Sequence, residues 1–385
     1  MGLLEQTDDW EHRFSFDPEW LDSPARPVLG QIFEDRLPYD IVTSGLPCWF
    51  THLLPQGPLR RAMERQLGED ADELDLLQML GEDLPGAVFA RAAAPSLAPT
   101  PLRPPPSGAL SPDSAGPLRF ALAGAQWKLS VRRGERGLVL PVLGQSGQFI
   151  AKFDDASFPG LPRVEHVTME WARRVGVLVP PFQLVEASRF EDIPKEIPLG
   201  AGQVFLIERF DRADSNHRIH MEDFGQILDR PVGDAQYRGR YEHIAAVIAA
   251  VCPQDIRPFC ERVAFCAISG NGDAHLKNWT LIYPDGHHAR LSPAYDLVST
   301  ILYPKLDDFL ALELGSSRRF EDVTERSFDL LARALDLSAE EVWGWVRDAA
   351  GRARQVFAEE SAEWSLSHEE RERIENHLAR VPLGK

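Results

Sequence analysis

Ser269-Gly270-Asn271-Gly272-Asp273-Ala274-His275-Leu276-Lys277-Asn278 is the stretch from which the rest of the chain is best read. Ahead of it runs an apolar segment, Phe259 to Ile268, whose Val263, Phe265, Cys266 and Ile268 suit one buried face. Behind it, Trp279-Thr280-Leu281-Ile282-Tyr283 has the composition of a strand. Two glycines and two polar residues between apolar elements mark a tight loop. A helix, a tight turn carrying Asp273 and Asn278, and a strand are therefore expected in that order.

Asp273 and Asn278 stand five positions apart. The catalytic loop of protein kinases has the same spacing, its Asp accepting the proton of the attacking hydroxyl and its Asn holding Mg²⁺. Phosphoryl transfer needs a proton acceptor and two or more oxygen ligands for a hard cation. A carboxylate and an amide on one loop supply both. A further carboxylate is expected downstream, and Asp296 stands in Leu291-Ser292-Pro293-Ala294-Tyr295-Asp296-Leu297-Val298. A hairpin of Thr280 to Tyr283, the turn Pro284-Asp285-Gly286 and a strand ending near Leu291 brings Asp296 back beside Asn278. Taken alone, the Asp-Asn pair is explained as well by a turn. With the hairpin and Asp296, phosphotransfer becomes the better reading.

With 385 residues the chain has room for two or three compact units, and its apolar and charged fractions are ordinary for a globular protein. A formal charge of -18 argues against direct nucleic-acid binding, which needs clustered Lys and Arg. No opening apolar run resembles a signal peptide, and no stretch reaches the length of a membrane span. Cys48, Cys252, Cys260 and Cys266 form no C-x-x-C pair and suit buried thiols in a reducing cytoplasm.

Residues 1 to about 90 form an acidic unit. Trp10 to Leu29 alternates aromatic and polar residues, as short strands or a sheet edge would. Helices are expected from Pro58, which suits a first turn, and over Glu69 to Gly81. Residues 91–117 hold eight prolines and are read as a linker or loop. In residues 118–212 the composition is strand-like. Gly124, flanked by Ala123 and Ala125, permits close backbone approach, as a phosphate-covering loop or a plain hairpin turn would. Lys152 interrupts the apolar strand Gly147 to Phe153 and needs a partner there. A nucleotide phosphate is one candidate, Glu165 in the first turn of a helix over Val164 to Val175 is another, and a lysine snorkelling from a sheet edge would need neither. Phe205 to Arg212 runs from a buried strand into charges, the pattern of a hinge between lobes. Residues 213–385 read as helical, beginning at His220 to Leu228, with Tyr241 to Val251 and Arg257 to Ile268 following. Later amphipathic helices are capped by Ser338 with Glu341 and by Ser367 with Glu370.

Together these motifs resemble the HipA family of bacterial toxin serine/threonine kinases. The resemblance rests on Ala121 to Leu129, Ile150 to Lys152, Glu208 to Arg212, Met221 to Gln226, Asn271 to Asn278 and Leu291 to Leu297. His52 to Leu59 and Gly81 to Val88 extend it into the first unit. It implies an α+β, two-lobed protein-kinase-like fold, a small β-rich lobe and a helical lobe, preceded by a partial barrel and helix subdomain. It also implies ATP and Mg²⁺, with Asp273 as base and Asn278 and Asp296 as metal ligands. His275 and Lys277 match the catalytic-loop pattern. Lys152 would hold the phosphates, Ala123-Gly124-Ala125-Gln126-Trp127-Lys128 would cover them, and the backbone of Glu208-Arg209-Phe210 would hold adenine. The implied partners are a small helix-turn-helix antitoxin and a protein substrate among translation components, notably an aminoacyl-tRNA synthetase.

The chain departs from the family pattern twice. Many members carry a serine, whose autophosphorylation silences them, where this chain has Ala121. By its sequence the chain is also expected to start partway through the family's N-terminal barrel, which would leave an edge near Phe14 to Trp20 for a small separate protein to complete. Two alternatives stay open at this point, a small-molecule phosphotransferase of the aminoglycoside-kinase kind and a non-catalytic pseudokinase scaffold.

Overall fold

A computed structural model describes residues 1–7, 11–37, 40–68, 71–93, 126–135, 137–140, 146–191, 193–195, 197–213, 217–306 and 308–385. Ala121, the small-residue loop Ala123-Gly124-Ala125 and the stretch 94–117 lie outside these residues.

The early aromatic alternation produces an antiparallel sheet of β1 (Gly2–Gln6), β2 (His12–Phe16) and β3 (Asp40–Thr43), in that order. Strand geometry sends His12, Phe14 and Phe16 to one side, where they are buried, and Arg13 to the other. The Phe14 ring packs 4.7 Å from Phe50 and 5.6 Å from Phe33. The expected open edge near Phe14 to Trp20 is not there. Phe14 sits on the central strand, paired with Leu4 on one side and Ile41 on the other, and Trp20 belongs to the short helix α1 (Pro18–Leu21).

Two more short helices follow, α2 (Gln31–Glu34) and α3 (Cys48–Thr51), then α4 (Gly57–Leu67) with Pro58 in its first turn. Helix α5 (Glu73–Leu80) begins four residues later than expected. Asp72 caps it, accepting from the amides of Leu74 and Asp75, and a capped start fixes where the helix begins.

A second sheet is antiparallel throughout, ordered β5 (Leu138–Val139), β4 (Lys128–Arg133), β6 (Phe149–Lys152), β8 (Gln203–Glu208) and β7 (Phe182–Glu186). Its two faces serve different cores. Leu129, Val131, Phe149, Ala151, Val204 and Leu206 pack with the N-terminal unit, while Phe205 and Ile207 pack with helix α6 (Leu161–Val175) and the helical lobe. Because side chains alternate along a strand, Lys152 shares the second face with Ile150 and lies opposite Phe205.

The remaining residues build the helical lobe. His220 to Ile227, expected as one helix, divides into strand β9 (His220–Asp223) and the short α7 (Phe224–Ile227). The division arises because β10 (Thr280–Tyr283) pairs with β9 on one side and with β11 (Arg290–Leu291) on the other. The long apolar helices α8 (Tyr241–Val251) and α9 (Ile256–Ser269) match their sequence signals. A hairpin of β12 (Phe309–Leu314) and β13 (Ser317–Arg319) had no sequence counterpart. Three helices close the chain, α10 (Asp329–Ala334), α11 (Ala339–Glu360) and α12 (His368–Arg380). Ser367 and Glu370 form the expected capping box, whereas the Ser338 side chain makes no cap bond. All four cysteines are free, with Cys252, Cys260 and Cys266 buried. Among the described residues no helix is long and apolar enough to cross a membrane.

Candidate active site

Helix α9 stops because Gly270 turns into the left-handed region at φ +66°, and a Cβ there would meet the Ile301 side chain at 2.6 Å. The loop that follows is tied down by its own atoms. Asn271 Oδ1 accepts from the Asp273 amide at 3.0 Å, and the Gly272 amide donates to Thr300 Oγ1 at 2.8 Å. The Asn278 side-chain nitrogen donates to the Asp273 carbonyl at 2.7 Å. The five-residue spacing thus closes a ring in which Asn278 braces the backbone of Asp273.

The Asp273 carboxylate keeps one edge open, its side chain being 49% exposed. Its Oδ1 accepts from the Tyr237 hydroxyl at 3.2 Å and lies 3.9 Å from His275 Nε2. Desolvation in the cleft raises its pKa above the usual value, the nearby charge of Asp296 adds to this, and His275 and Tyr237 oppose it. His275 is buried, with Tyr237 edge-on 4.6 Å from its ring, and Nδ1 accepts from the Lys277 amide at 3.2 Å. Burial lowers its pKa. The neutral ring therefore carries its proton on Nε2, toward Asp273.

Across the cleft lies Asp296, held at φ +56°, a backbone conformation that Asp tolerates better than most residues. Its Oδ2 accepts from Lys128 Nζ at 2.9 Å and its Oδ1 from Lys152 Nζ at 2.6 Å. Burial works against the charged form, but the two ammonium groups overcome it and hold Asp296 well below the usual carboxylate range. Lys152 also donates to Glu165, which is fully buried on α6. Burial disfavours the Lys152 charge as well, yet Asp296 and Glu165 outweigh it and raise the lysine pKa. Glu165 itself is pushed up to about 7, chiefly by burial.

The structure thus brings Asp273, His275, Asn278, Asp296, Lys128 and Lys152 to one cleft between the second sheet and the helical lobe. Gln126 closes the start of β4, its amide donating to the Phe153 carbonyl, and Trp127 accepts from the Phe153 amide at 3.0 Å. Lys277 goes elsewhere. Its ammonium is buried against Asp223 and His52, on the side of the N-terminal unit.

Part of the hinge backbone is already engaged. The amides of Glu208 and Arg209 are already bonded, to the carbonyls of Pro181 and Gln148. The Arg209 side chain is buried between Asp83 and Asp211, and Arg212 reaches the same two carboxylates. This cluster ties the hinge to the Gly81-to-Val88 segment instead of facing the cleft. Phe210 borders the cleft, its ring 5.5 Å from that of Tyr295.

One contributor escaped the sequence reading and another was read for a different part. Tyr237 lies in a polar stretch without a motif. Lys128 was read only as part of a covering loop, although its alternation with Leu129 and Val131 marks it as facing the cleft side of the sheet.

A HipA N-terminal domain model matches residues 1–91, and a HipA-like C-terminal domain model matches residues 120–357. A Sinorhizobium fredii protein named "Putative kinase Y4dM" is 33% identical over 396 residues, covering 100% of this chain and 95% of that protein. A second from the same organism, "Putative kinase Y4mE", is 31% identical and covers 82% of this chain and 78% of its own length. Among solved structures, the Shewanella oneidensis toxin–antitoxin complex of HipA, HipB and operator DNA superposes with a TM-score of 0.71 at 20% identity. That match covers 99% of this chain and 94% of the other. At that identity the likeness is one of fold.

Proposed function

We propose, from the premise that this chain belongs to the HipA family, that it is a protein serine/threonine kinase moving the γ-phosphate of ATP to a hydroxyl on a protein. One observation carries the reading. Asp296 is clamped between Lys128 and Lys152, with Glu165 behind Lys152, opposite the half-open carboxylate of Asp273. Relatives bearing kinase names support it.

The donor set suits magnesium, since Asn278 offers an amide oxygen and Asp296 a carboxylate, both hard oxygen ligands, with phosphates left to complete the shell. When bound, the metal would neutralise charge on the transferring phosphates. The chain's own residues do the rest. Asp273 accepts the proton of the attacking hydroxyl as the hydroxyl oxygen bonds to the γ-phosphorus and the bond from that phosphorus to the bridging oxygen of the departing ADP breaks, and its raised pKa suits a base that must hold that proton. Lys152 and Lys128, which here hold Asp296, would also offer their ammonium groups to the phosphates. His275 stays neutral and lines the carboxylate. Phe210 lies where an adenine would stack.

Asp273→Asn is the test. It should bind Mg-ATP as the wild type does and lose phosphate transfer to a bacterial lysate by roughly 10²–10⁴-fold. Transfer at the wild-type rate would remove Asp273 from the chemistry.

The biological reading is that of a toxin in a toxin–antitoxin pair, acting on a translation component such as an aminoacyl-tRNA synthetase. The HipA of Shewanella oneidensis was solved with HipB and operator DNA. This chain's partner would correspondingly be a small helix-turn-helix protein that supplies the DNA contacts, because a formal charge of -18 equips this chain poorly for them. Co-purification from the native host should recover such a protein.

A further inference from the structure

Lys277 is a charged side chain of the loop that the phosphotransfer reading leaves without a task. An ammonium has three N–H donors. All three are placed: on Asp223 Oδ2 at 2.7 Å, on His52 Nδ1 at 2.8 Å and on the His52 carbonyl at 3.3 Å. Nothing is left over for a phosphate. The main chain of the same residue is held as well. Its amide donates to His275 Nδ1 at 3.2 Å, and its carbonyl accepts from the Tyr295 hydroxyl at 2.7 Å. Lys277, directly before Asn278 and two positions after His275, is therefore fixed through its amide, its carbonyl and its ammonium.

The acceptors are fixed in their turn. His52 Nε2 lies 2.6 Å from the Arg230 carbonyl, which can only accept, so Nε2 carries the hydrogen and Nδ1 offers Lys277 its lone pair. The other oxygen of Asp223 caps α7 at the Gln226 amide, 3.0 Å away. Gln226 reaches back with its side chain to the Trp49 carbonyl at 3.1 Å. Lys277, His52 and Asp223 are 6%, 3% and 8% exposed, so water does not stand in for any of these bonds. His52 and Trp49 come from the N-terminal unit, Asp223 and Gln226 from the β9–α7 junction, and Lys277 from the catalytic loop.

We propose that this buried strut makes the N-terminal unit a working part of the phosphotransfer site. His52 and Asp223 seat Lys277, and Lys277 sets the orientation of its neighbours Asn278 and His275. Lys277 and His52 are positioning residues. A protein that shifts the short helix α3 would then change the rate of transfer while leaving the cleft open. The consequence for rate rests on the kinase reading above; the effect on loop order does not.

The full chain carries the test, with His52→Ala, His52→Asn and, as a control, Arg354→Ala. Arg354 donates to the carbonyls of Leu378, Val381 and Leu383 at the end of the chain, away from the loop. Three readouts are taken: amide hydrogen exchange over residues 271–279 without nucleotide, kcat and KM for ATP, and the Mg²⁺ concentration for half-maximal rate. His52→Ala should speed exchange across 271–279, raise the Mg²⁺ requirement, and lower kcat by about 10- to 100-fold with a smaller change in KM. His52→Asn has an oxygen to accept from Lys277 and an amide to donate to Arg230, and should recover most of the loss. Arg354→Ala should lower Tm and leave loop exchange and kcat as they were.

Loop exchange and kcat in His52→Ala equal to those of a control matched in Tm would overturn the proposal. Should His52→Ala not fold, His52→Gln displaces the acceptor while keeping a polar filler and carries the same comparison. A wild-type chain that transfers no phosphate, in which His52→Ala still loosens the loop, would sink the kinase reading and leave the strut standing.

Discussion

At the scale of single residues, the site is a balance of buried charges. Lys152 is shared by Asp296 and Glu165, and neither carboxylate has another route to neutralisation as short. Removing that ammonium leaves two acids facing each other in a desolvated space, where like charges cannot both persist. Lys152→Met should therefore lower kcat/KM for ATP by about 10²–10³-fold, the scale seen when one preorganised charge-stabilising donor is lost. Lys128→Met should do less, because Lys128 touches Asp296 alone among the two acids. Glu165→Gln keeps a partner for Lys152 but not the charge, and should fall between them. Initial rates over a range of ATP concentrations separate the three, and an unchanged kcat/KM in Lys152→Met would exclude that lysine from nucleotide binding.

At the scale of elements, strand β9 is the seam between the N-terminal unit and the helical lobe. Glu222 on β9 is fully buried and accepts from the Gln31 amide at 3.0 Å, from Trp49 Nε1 at 3.3 Å and from the Tyr283 hydroxyl. No cation is among these partners. Burial accordingly pushes its pKa up to about 7, although the three donors pull the other way. The folded chain thus binds a proton that the unfolded chain, with an ordinary glutamate, has lost. Glu222 contributes fully at pH values below the unfolded pKa, and its contribution falls as pH rises from about 4.5 to about 7, then stays level. The scale is on the order of 3 kcal/mol. Measured from pH 5 to 8, Tm of Glu222→Gln relative to wild type should climb through that window and flatten above it. Parallel pH curves for the two proteins would show that Glu222 does not carry the dependence.

At the scale of the whole molecule, the two apolar cores meet on opposite faces of the second sheet, so the strands that carry Lys128 and Lys152 are also the floor of the N-terminal unit. The buried cluster of Arg209, Arg212, Asp83 and Asp211 fastens the same unit to the hinge. Full-length protein expressed without a partner should arrest bacterial growth, and Asp296→Asn should relieve the arrest while the protein still accumulates. Normal growth at confirmed soluble expression of the wild type would favour a small-molecule acceptor over a protein one.

The sequence by itself determined the local matters. The spacing of Asp273 and Asn278, the glycine that ends α9 and the hairpin that returns Asp296 are all encoded within about thirty residues, where turn geometry and strand alternation act without distant help. Lys152 in an apolar strand called for a partner, and Glu165 is one of the two that it finds. What only the tertiary structure decided is where the remaining charges go. Lys277 and His52 are 225 positions apart, and Arg209 and Asp83 are 126 apart. No periodicity links such pairs, so the sequence does not say where the Lys277 ammonium and the Arg209 guanidinium go. His220 to Asp223 had helical neighbours and became a strand because β10 offered it a row of backbone partners. Tyr237 reached Asp273 by the same logic. Hydrogen-bonding groups buried by folding must be satisfied by whatever the fold brings beside them, and that choice is made across the chain and not along it.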